Sequence, residues 1–358
     1  MGPRETASRA ALVLASVGIT LLLLEGVARI VFHRAYSEGF TAGPPLLELT
    51  PRGPRLKPDA HLEWYSPLAG RKLDLATNAQ GFRGPAIAPR KNRFRVLVLG
   101  DSIAFGLGLG EEETWPRRLE QDLGGRAEVI NAGVPDLGTR EELSLLAGEG
   151  LPLEPDLVVL AYYLNDSLPP YSFAEEYGNL EPERAGKITW LRQQSYLFRW
   201  IWERYLVTRY VKASGRGTGP WVRLFQQGRW REDHAVFDEL VQKADSDFGA
   251  AWTEAGWKDL PGLLQKMKRL TESGKARLVV VCFPVSIQVR ADFLDDRPQR
   301  RLEQICADLR LPCLDLLPAL RARPSEALFL DQCHLTPPGA QTVADLTAQF
   351  LLEQRLVP

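Results

Sequence analysis

Short apolar runs alternate with amphipathic stretches over the C-terminal three quarters of the chain. Uninterrupted apolar runs of this length, bounded by glycine and polar residues, are typical of strands buried on both faces of a parallel sheet. The pattern therefore predicts an α/β fold built on a doubly wound parallel sheet with helices between successive strands. The predicted strands are Arg95–Leu99, Glu128–Gly133, Asp156–Tyr163, Ala276–Phe283 and Cys313–Leu317.

Capping residues predict where several helices begin. Thr114, with Pro116 in the first turn, predicts a helix that ends near Leu123. Thr139 and Glu142 have the spacing of a capping box at the start of a second helix. A further helix is predicted over 299–309, and Thr336 is expected to cap a terminal helix that begins with Pro337.

The N-terminal pattern is different, because it is apolar with almost no interruption. Ala10–Leu24 carries no charge, and the apolar run continues past Glu25 and Arg29 to Phe32. As a helix, residues 10–32 would be about 34 Å long, enough to cross a bilayer core of about 30 Å. Glu25 and Arg29 are four residues apart and are expected to pair on one helix face.

This run predicts a membrane attachment. We expect residues 1–9 to be a cytoplasmic N-terminus and residues 10–32 to be an uncleaved transmembrane signal anchor, with the rest of the chain exported. Cleavage after Ala28 is the alternative, and positive charges flank both ends of the run, so they do not decide the orientation.

Two regions lack the strand–helix alternation. Residues 33–93 are rich in proline and glycine and are interpreted as a linker plus an extended covering segment, in which Asn78–Gly84 forms a turn around one aromatic residue. Residues 167–250 are too long for a simple crossover and predict a helical insertion. Within it, Trp190–Lys212 is an aromatic and basic helix that either lies at a membrane interface or packs over the rim of the active site.

Composition excludes several function classes. The chain has 358 residues, 25% of them charged, and a net charge of -1, so nothing attracts it to nucleic acid. Its four cysteines include no C-x-x-C pair, which argues against a zinc site; Cys306 and Cys313 either form a disulfide or are buried thiols. The glycines at 106, 108 and 110 are followed by three glutamates, where a dinucleotide phosphate would need positive potential.

A candidate nucleophile and a candidate base occupy two distant segments. Ser102 follows the first predicted strand in the sequence Gly100-Asp101-Ser102, at the sheet edge where α/β proteins place their chemistry. A serine hydroxyl needs a base to accept its proton. Asp331 precedes His334 by three residues, a spacing that lets the carboxylate orient the imidazole.

Oxyanion donors are predicted at the same edge. Gly133 ends the second strand, where its backbone N–H can approach an oxyanion, and Asn165 follows the third strand with a side-chain amide. With the N–H of Ser102, these groups would supply three donors to a developing negative charge.

Gly100-Asp101-Ser102, Gly133, Asn165 and Asp331-x-x-His334 together resemble the ordered blocks of the SGNH (GDSL-type) esterases and lipases. The resemblance implies a three-layer α/β/α, flavodoxin-like hydrolase domain, here expected over residues 94–354. It implies Ser102 as nucleophile, His334 as base, Asp331 as the residue that orients it, and Ser102, Gly133 and Asn165 as oxyanion donors. Tyr163 departs from the family's usual glycine, which affects the shape of the pocket.

The resemblance also extends to membrane-anchored bacterial members, through the N-terminal helix and Gly81-Phe82-Arg83. We therefore expect a serine ester hydrolase that acts through an acyl-enzyme, without metal or cofactor, on an acylated envelope or extracellular molecule. A carbohydrate O-acetyl ester is the favoured substrate and a lipid the second. An acyltransferase to polysaccharide that uses the same triad, and an inactive binding module, are the alternatives.

Overall fold

The computed structural model describes most of the chain in two compact units. One unit comprises residues 1–44 with 183–218, and the other comprises 45–182 with 219–358. The described residues are 3–37, 46–50, 53–66, 68–88, 90–135, 137–167, 190–191, 194–202, 220–245, 247–323 and 327–358.

The first unit contains the long N-terminal helix α1, Pro3–Ser37. Its segment Ala11–Val31 has a mean hydropathy of 2.2 and is long and apolar enough to cross a membrane, as either an anchor or a signal sequence is. Residues 196–202 of the insertion are also helical. The remainder of the predicted 190–212 helix, from residue 203 onward, lies outside the described residues.

The second unit is built on a sheet of five parallel strands, which confirms the predicted fold class. The five strands are β5 (Phe94–Gly100), β6 (Ala127–Gly133), β7 (Leu157–Tyr163), β8 (Arg277–Phe283) and β9 (Cys313–Asp315). Their order in the sheet is β6-β5-β7-β8-β9, so the chain passes from β5 to the strand on one side of it and then continues on the other side. This is the 2-1-3-4-5 order of flavodoxin-like sheets.

Helices flank this sheet, because its strands are apolar on both faces and need cover on both. The N-terminal and C-terminal parts of the unit meet where α3 packs on α11, and α4 packs on α7. The helices are α2 (Ser102–Phe105), α3 (Trp115–Asp122), α4 (Thr139–Leu145), α5 (Pro220–Gln227), α6 (His234–Lys243), α7 (Leu260–Ser273), α8 (Ser286–Arg290), α9 (Arg297–Asp308), α10 (Leu317–Arg321) and α11 (Pro337–Glu353).

Two predicted boundaries are wrong. The fifth strand stops at Asp315, because the Asp315 carboxylate accepts the Leu317 N–H at 2.9 Å and Pro318 then starts α10. The capping box at Thr139 does not form. Gly138 is the N-cap, Thr139 is already helical, and its buried hydroxyl has no hydrogen-bond partner in the described part of the chain.

The other two predicted caps differ from each other. Thr336 accepts the Gly339 N–H at 3.1 Å ahead of Pro337, as predicted for α11. Thr114 stands at the N-cap of α3 without a capping bond, and its hydroxyl donates instead to the carbonyl of Glu111 at 3.0 Å.

The region before β5 contains two antiparallel hairpins that the sequence pattern does not predict. They pair β1 (Leu47–Thr50) with β2 (Gly53–Leu56), and β3 (His61–Ser66) with β4 (Arg71–Ala76). Strands of only four to six residues carry a weak periodic signal, and exposure alternates along β3 and β4. The segment that follows reaches the parallel sheet through a bridge between Arg83 and Asn131 of β6.

Candidate active site

The candidate nucleophile lies at the switch point of the sheet. Gly100, at the end of β5, pairs with Gly133 of β6 on one side and with Ala161 of β7 on the other. The strands on the two sides of β5 are β6 and β7, so β5 is the point where the strand order reverses. In open α/β sheets a crevice forms at the carboxyl ends of the strands at this point. Ser102, two residues past Gly100, begins α2 at this end of β5.

Close packing under α2 explains the glycine that ends β6. A Cβ atom on Gly133 would lie 2.2 Å from the backbone nitrogen of Phe105 and 2.6 Å from the carbonyl carbon of Ala104. Only glycine therefore allows α2 to pack against β6 at this distance. The other end of α2 is fixed by Asp101, whose carboxylate caps the helix by accepting the Ile103 N–H at 2.8 Å.

A continuous hydrogen-bonded chain joins the three predicted triad residues. Ser102 Oγ lies 2.9 Å from His334 Nε2, and His334 Nδ1 lies 2.8 Å from Asp331 Oδ2. The other carboxylate oxygen, Oδ1, accepts the backbone N–H groups of His334 at 2.8 Å and Cys333 at 2.9 Å. The turn before α11 thus holds the imidazole and its carboxylate as one unit, with Nε2 directed at the serine.

The electrostatics of this turn favour a charged pair. Burial alone would lower the pKa of His334, but the hydrogen bond and charge of Asp331 outweigh it and raise that pKa above its usual value. Burial would raise the pKa of Asp331, but the bond and charge of His334 and the two backbone N–H groups lower it. A carboxylate in this position can stabilise an imidazolium at His334.

The two predicted oxyanion donors Gly133 and Asn165 lie at the same edge of the sheet, but their hydrogen bonding differs. The Gly133 N–H donates to Asn131 Oδ1 at 3.0 Å, so an oxyanion would have to displace that bond. Asn165 lies in a single helical turn directly after β7, and its Oδ1 is buried without a hydrogen-bond partner in the described part of the chain. The two residues share an edge with Ser102, and their roles as donors stay a prediction.

A second carboxylate near the triad comes from the insertion. Asp247 is half-buried, and its Oδ2 accepts a hydrogen bond from Gln332 Nε2 at 3.3 Å. Burial and the charge of Asp331 raise the pKa of Asp247 to about 7, although His334 and Gln332 act in the opposite direction. Tyr163, the departure from the family pattern, is also fully buried here, and burial followed by the nearby Cys333 and Asp247 raises its pKa.

Two further acids, Glu142 and Asp166, interact electrostatically with Asp101, the residue before the nucleophile. Glu142 of α4 is completely buried, and neither carboxyl oxygen has a hydrogen-bond partner among the described residues. Burial and the charges of Asp101 and Glu141 raise its pKa well above the usual range. Burial and the charges of Glu142 and Asp101 do the same for Asp166, despite the bond that it accepts from the Tyr163 N–H at 3.3 Å.

A buried arginine from the segment before β5 holds the loop that follows α2. Arg83 is 2% exposed and stacks on the ring of Phe105 at 4.5 Å. Its Nη1 donates to the carbonyls of Phe105 (2.7 Å) and Gly106 (2.9 Å), its Nη2 to that of Leu109 (2.6 Å), and its Nε to the Glu111 carboxylate (3.1 Å). We call this set of contacts the Arg83 clamp.

The groups that a metal would need are already engaged. Ligand atoms of Asp331, Cys333 and His334 lie within 4.8 Å of one another. Both ring nitrogens of His334 are hydrogen-bonded within the triad, to Ser102 and to Asp331. Cys306 and Cys313 are free thiols, and the pKa of Cys313 is raised by its bond with Cys306 and by burial.

The structure therefore brings together Ser102, His334 and Asp331, which the sequence singled out. Sequence reasoning missed Asp247, which lies in a weakly patterned insertion. It noted Arg83 only within a turn and within the resemblance to membrane-anchored members, without a structural role. In that turn the Asn78 side chain accepts the N–H groups of Gln80 and Phe82, both at 3.0 Å, and so presents Arg83 to the loop after α2.

Comparison with known proteins adds a family. A model of the GDSL-like lipase/acylhydrolase family matches residues 98–342, more than half of the chain. No curated protein sequence matches the chain.

Several solved structures are similar to this one. A lipolytic protein of the G-D-S-L family from Desulfitobacterium hafniense is 14% identical, with 72% of this chain and 100% of that chain covered and a TM-score of 0.36. The lipase/acylhydrolase from Enterococcus faecalis is 16% identical, with coverage of 74% and 97% and a TM-score of 0.40. An acetyl xylan esterase is 15% identical, with coverage of 71% and 97% and a TM-score of 0.37.

Proposed function

The chain belongs to the GDSL-like lipase/acylhydrolase family, and on that premise we propose that it is a serine ester hydrolase that works through an acyl-enzyme. The observation that carries the proposal is the bonded chain from Ser102 through His334 to Asp331. A serine hydroxyl, an imidazole and a carboxylate in this order make up the machinery of acyl transfer.

The reaction follows from the positions of the protons. Ser102 Oγ attacks the acyl carbonyl carbon as its proton passes to His334 Nε2, and the carbonyl electrons move onto the oxygen. Collapse of the tetrahedral intermediate breaks the ester bond, and the leaving alcohol takes the proton from Nε2. A water then attacks the acyl carbon as its proton passes to His334 Nε2. The bond to Ser102 Oγ breaks, Oγ takes the proton from Nε2, and the acid is released.

The oxyanion is stabilised by the groups at the carboxyl ends of β5, β6 and β7. The Ser102 N–H and the Asn165 amide are two donors, and Gly133 becomes the third when its N–H leaves Asn131 Oδ1. Loss of one such donor costs about 100-fold or more in rate.

The substrate is an acylated envelope or extracellular molecule, and a carbohydrate O-acetyl ester is favoured. This part of the proposal rests on the apolar segment Ala11–Val31, interpreted as an uncleaved anchor that leaves the hydrolase outside the cytoplasmic membrane.

Substitution of the nucleophile tests the catalytic proposal. The purified full chain and its Ser102→Ala variant are assayed on acetyl, butyryl and longer acyl esters, and a fluorophosphonate probe is added to each. We expect the wild type to turn over short esters and to be labelled by the probe. The Ser102→Ala variant should show a kcat lower by about 1,000-fold or more and no labelling. A folded wild-type protein with no label and no turnover would instead favour the inactive binding module.

The choice between hydrolysis and transfer depends on the acceptor. Acetyl ester consumption in the presence of oligosaccharides, with free acetate and acetylated oligosaccharide quantified separately, measures the two rates. Free acetate as the main product supports the hydrolase; acetylated oligosaccharide as the main product makes the protein an O-acyltransferase with the same triad.

A further inference from the structure

Two charged residues interrupt the apolar segment of α1, and both contact the insertion. Glu25 lies six residues before the end of the segment at Val31, and Arg29 lies two residues before it, which is about 9 Å and 3 Å along a helix. Charged residues near the end of a membrane-spanning helix are costly unless they are paired or reach the interface. Their partners therefore indicate what these residues do.

The Glu25 carboxylate caps the helix of the insertion. Its Oε2 accepts the Ser195 hydroxyl at 2.7 Å and the Leu197 N–H at 3.0 Å, and its Oε1 accepts the Tyr196 N–H at 3.1 Å. The first N–H groups of a helix have no partner within it, and a carboxylate there also meets the positive end of the helix dipole. Glu25 thus supplies, from α1, the cap that residues 196–202 need.

Arg29 completes the connection from the same helix face. Its Nε donates to Glu25 Oε1 at 2.8 Å, its Nη2 donates to the carbonyl of Gln194 at 2.7 Å, and its guanidinium lies 5.1 Å from the centroid of the Tyr196 ring. We call Glu25, Arg29 and residues 194–197 the latch. The Glu25 carboxylate and the Arg29 guanidinium therefore both have polar or aromatic partners in the insertion.

The segment that the latch holds exposes large apolar side chains. Trp190 is 59% exposed, Trp200 38% and Ile201 51%, which is unusual for tryptophan in a packed domain. Tryptophan is enriched where membrane meets water, because the ring is apolar and its N–H needs a polar partner. The latch lies within two helical turns of the end of the apolar segment, and Trp200 and Ile201 follow it by a few residues.

We infer that the latch fixes the 194–202 segment at the membrane–water interface, with Trp200 and Ile201 in contact with the lipids of the bilayer that α1 crosses. The inference rests on the proposed anchor and extends it. The polar pair in the membrane helix is a binding site for a part of the insertion, and the insertion supplies a second membrane contact. The occupant of the exposed face is the lipid bilayer itself.

A fluorescent probe at residue 201 tests this arrangement. The full chain with Ile201→Cys is labelled with an environment-sensitive fluorophore, reconstituted in vesicles of phosphatidylethanolamine and phosphatidylglycerol, and quenched by lipids spin-labelled near the headgroup. The unsubstituted chain gives the background from native cysteines, and Ser273→Cys on the exposed face of α7 is the matched solvent control. We expect quenching at 201 to exceed that at 273 at least twofold.

The latch is tested by adding Glu25→Ala to the same labelled chain. This change makes α1 more apolar, so membrane insertion persists while the cap of residues 196–202 is lost. We expect quenching at 201 to fall to the level of the 273 control, and Glu25→Gln, which keeps one acceptor oxygen, to restore part of it. Equal quenching with and without Glu25→Ala would overturn the latch, and no quenching at 201 in either chain would overturn the interfacial position.

Two parallel measurements separate this inference from the proposals on which it rests. The intact mass of the membrane-bound chain reports whether the anchor is retained, and a chain that lacks residues 1–28 would overturn both the anchor and the latch. Hydrolysis of a soluble acetyl ester is expected to be unchanged in Glu25→Ala. If the parent chain also fails to hydrolyse the ester, the proposed esterase activity is refuted. The latch is then still tested by the quenching measurements.

Discussion

Asp331 and Glu142 are both acidic, but Asp331 is half-buried and Glu142 fully buried, and their pKa values shift in opposite directions. Asp331 accepts hydrogen bonds on both oxygens, from the His334 side chain and from two backbone N–H groups, and its pKa is lowered despite burial. Glu142 has no hydrogen-bond partner within the described residues, and burial raises its pKa well above the usual range. Hydrogen-bond donors thus lower the pKa of Asp331, whereas full burial without such donors raises that of Glu142.

The largest expected effect comes from removing the charge of Asp331. In Asp331→Asn the amide no longer fixes the His334 tautomer or stabilises imidazolium, so kcat on a short acyl ester should fall by about 1,000- to 10,000-fold. Steady-state kinetics with a circular dichroism spectrum to confirm folding would measure it. Asp259→Asn, at an exposed aspartate paired with Arg140, is the matched control and should change kcat less than twofold. A loss below tenfold in Asp331→Asn would remove Asp331 from the triad.

Replacing Glu142 by a residue that cannot ionise should have the opposite effect, a gain in stability at higher pH. The pKa of Glu142 is raised in the folded state, so the folded protein holds this proton more tightly than the unfolded chain does. As pH rises above about 4.3, the usual value for glutamate, the unfolded state ionises first and wild-type stability declines, by about 1.4 kcal/mol for each unit of difference.

Glu142→Gln cannot ionise and should escape that decline. Urea unfolding at pH 4, 6 and 8 is expected to show free energies of unfolding within about 1 kcal/mol of each other at pH 4, as for a neutral exchange, and an advantage for Gln that grows with pH. An advantage for the wild type that grows with pH would mean that Glu142 is an anion with a partner, as Asp331 is.

The smallest effect is expected at Asp247, which lies between the two cases with a pKa of about 7. Its charge is one of those that raise the pKa of His334. In Asp247→Asn the pKa of His334 should fall, and the acidic limb of kcat/KM should move to lower pH by about half a unit to one unit, at the low end for a neighbouring charge. A pH–rate profile measures the shift, and a limb that stays in place or moves upward would separate Asp247 from the base.

Four of the five strands could be predicted because they are buried on both faces and appear as apolar runs, whereas β9 has only three residues of intermediate burial. The candidate triad residues could be singled out because they lie next to a strand end and in one short turn. The charge states of Glu142 and Asp247 were not readable, because they depend on groups that only the fold brings near them. At Thr139 the spacing was correct, yet the helix takes Gly138 as its N-cap and buries the hydroxyl.

The β-hairpins before β5 were missed for another reason. Short strands contribute few apolar residues, so the proline and glycine content of the region led to its interpretation as a linker. The region contacts the loop after α2 through Arg83, and a single arginine in a turn carries no periodic signal. Sequence reasoning found the turn at Asn78–Gly84 but not the loop that it supports.

The Arg83 clamp determines where the catalytic domain begins. The family match starts at residue 98 and the first strand of the sheet at Phe94, so either limit would cut the chain after Arg83. A protein trimmed to those limits would keep all three triad residues while the carbonyls of Phe105, Gly106 and Leu109 lost their shared donor. We therefore expect the smallest stably folded hydrolase unit of this chain to extend upstream at least to the Asn78 turn.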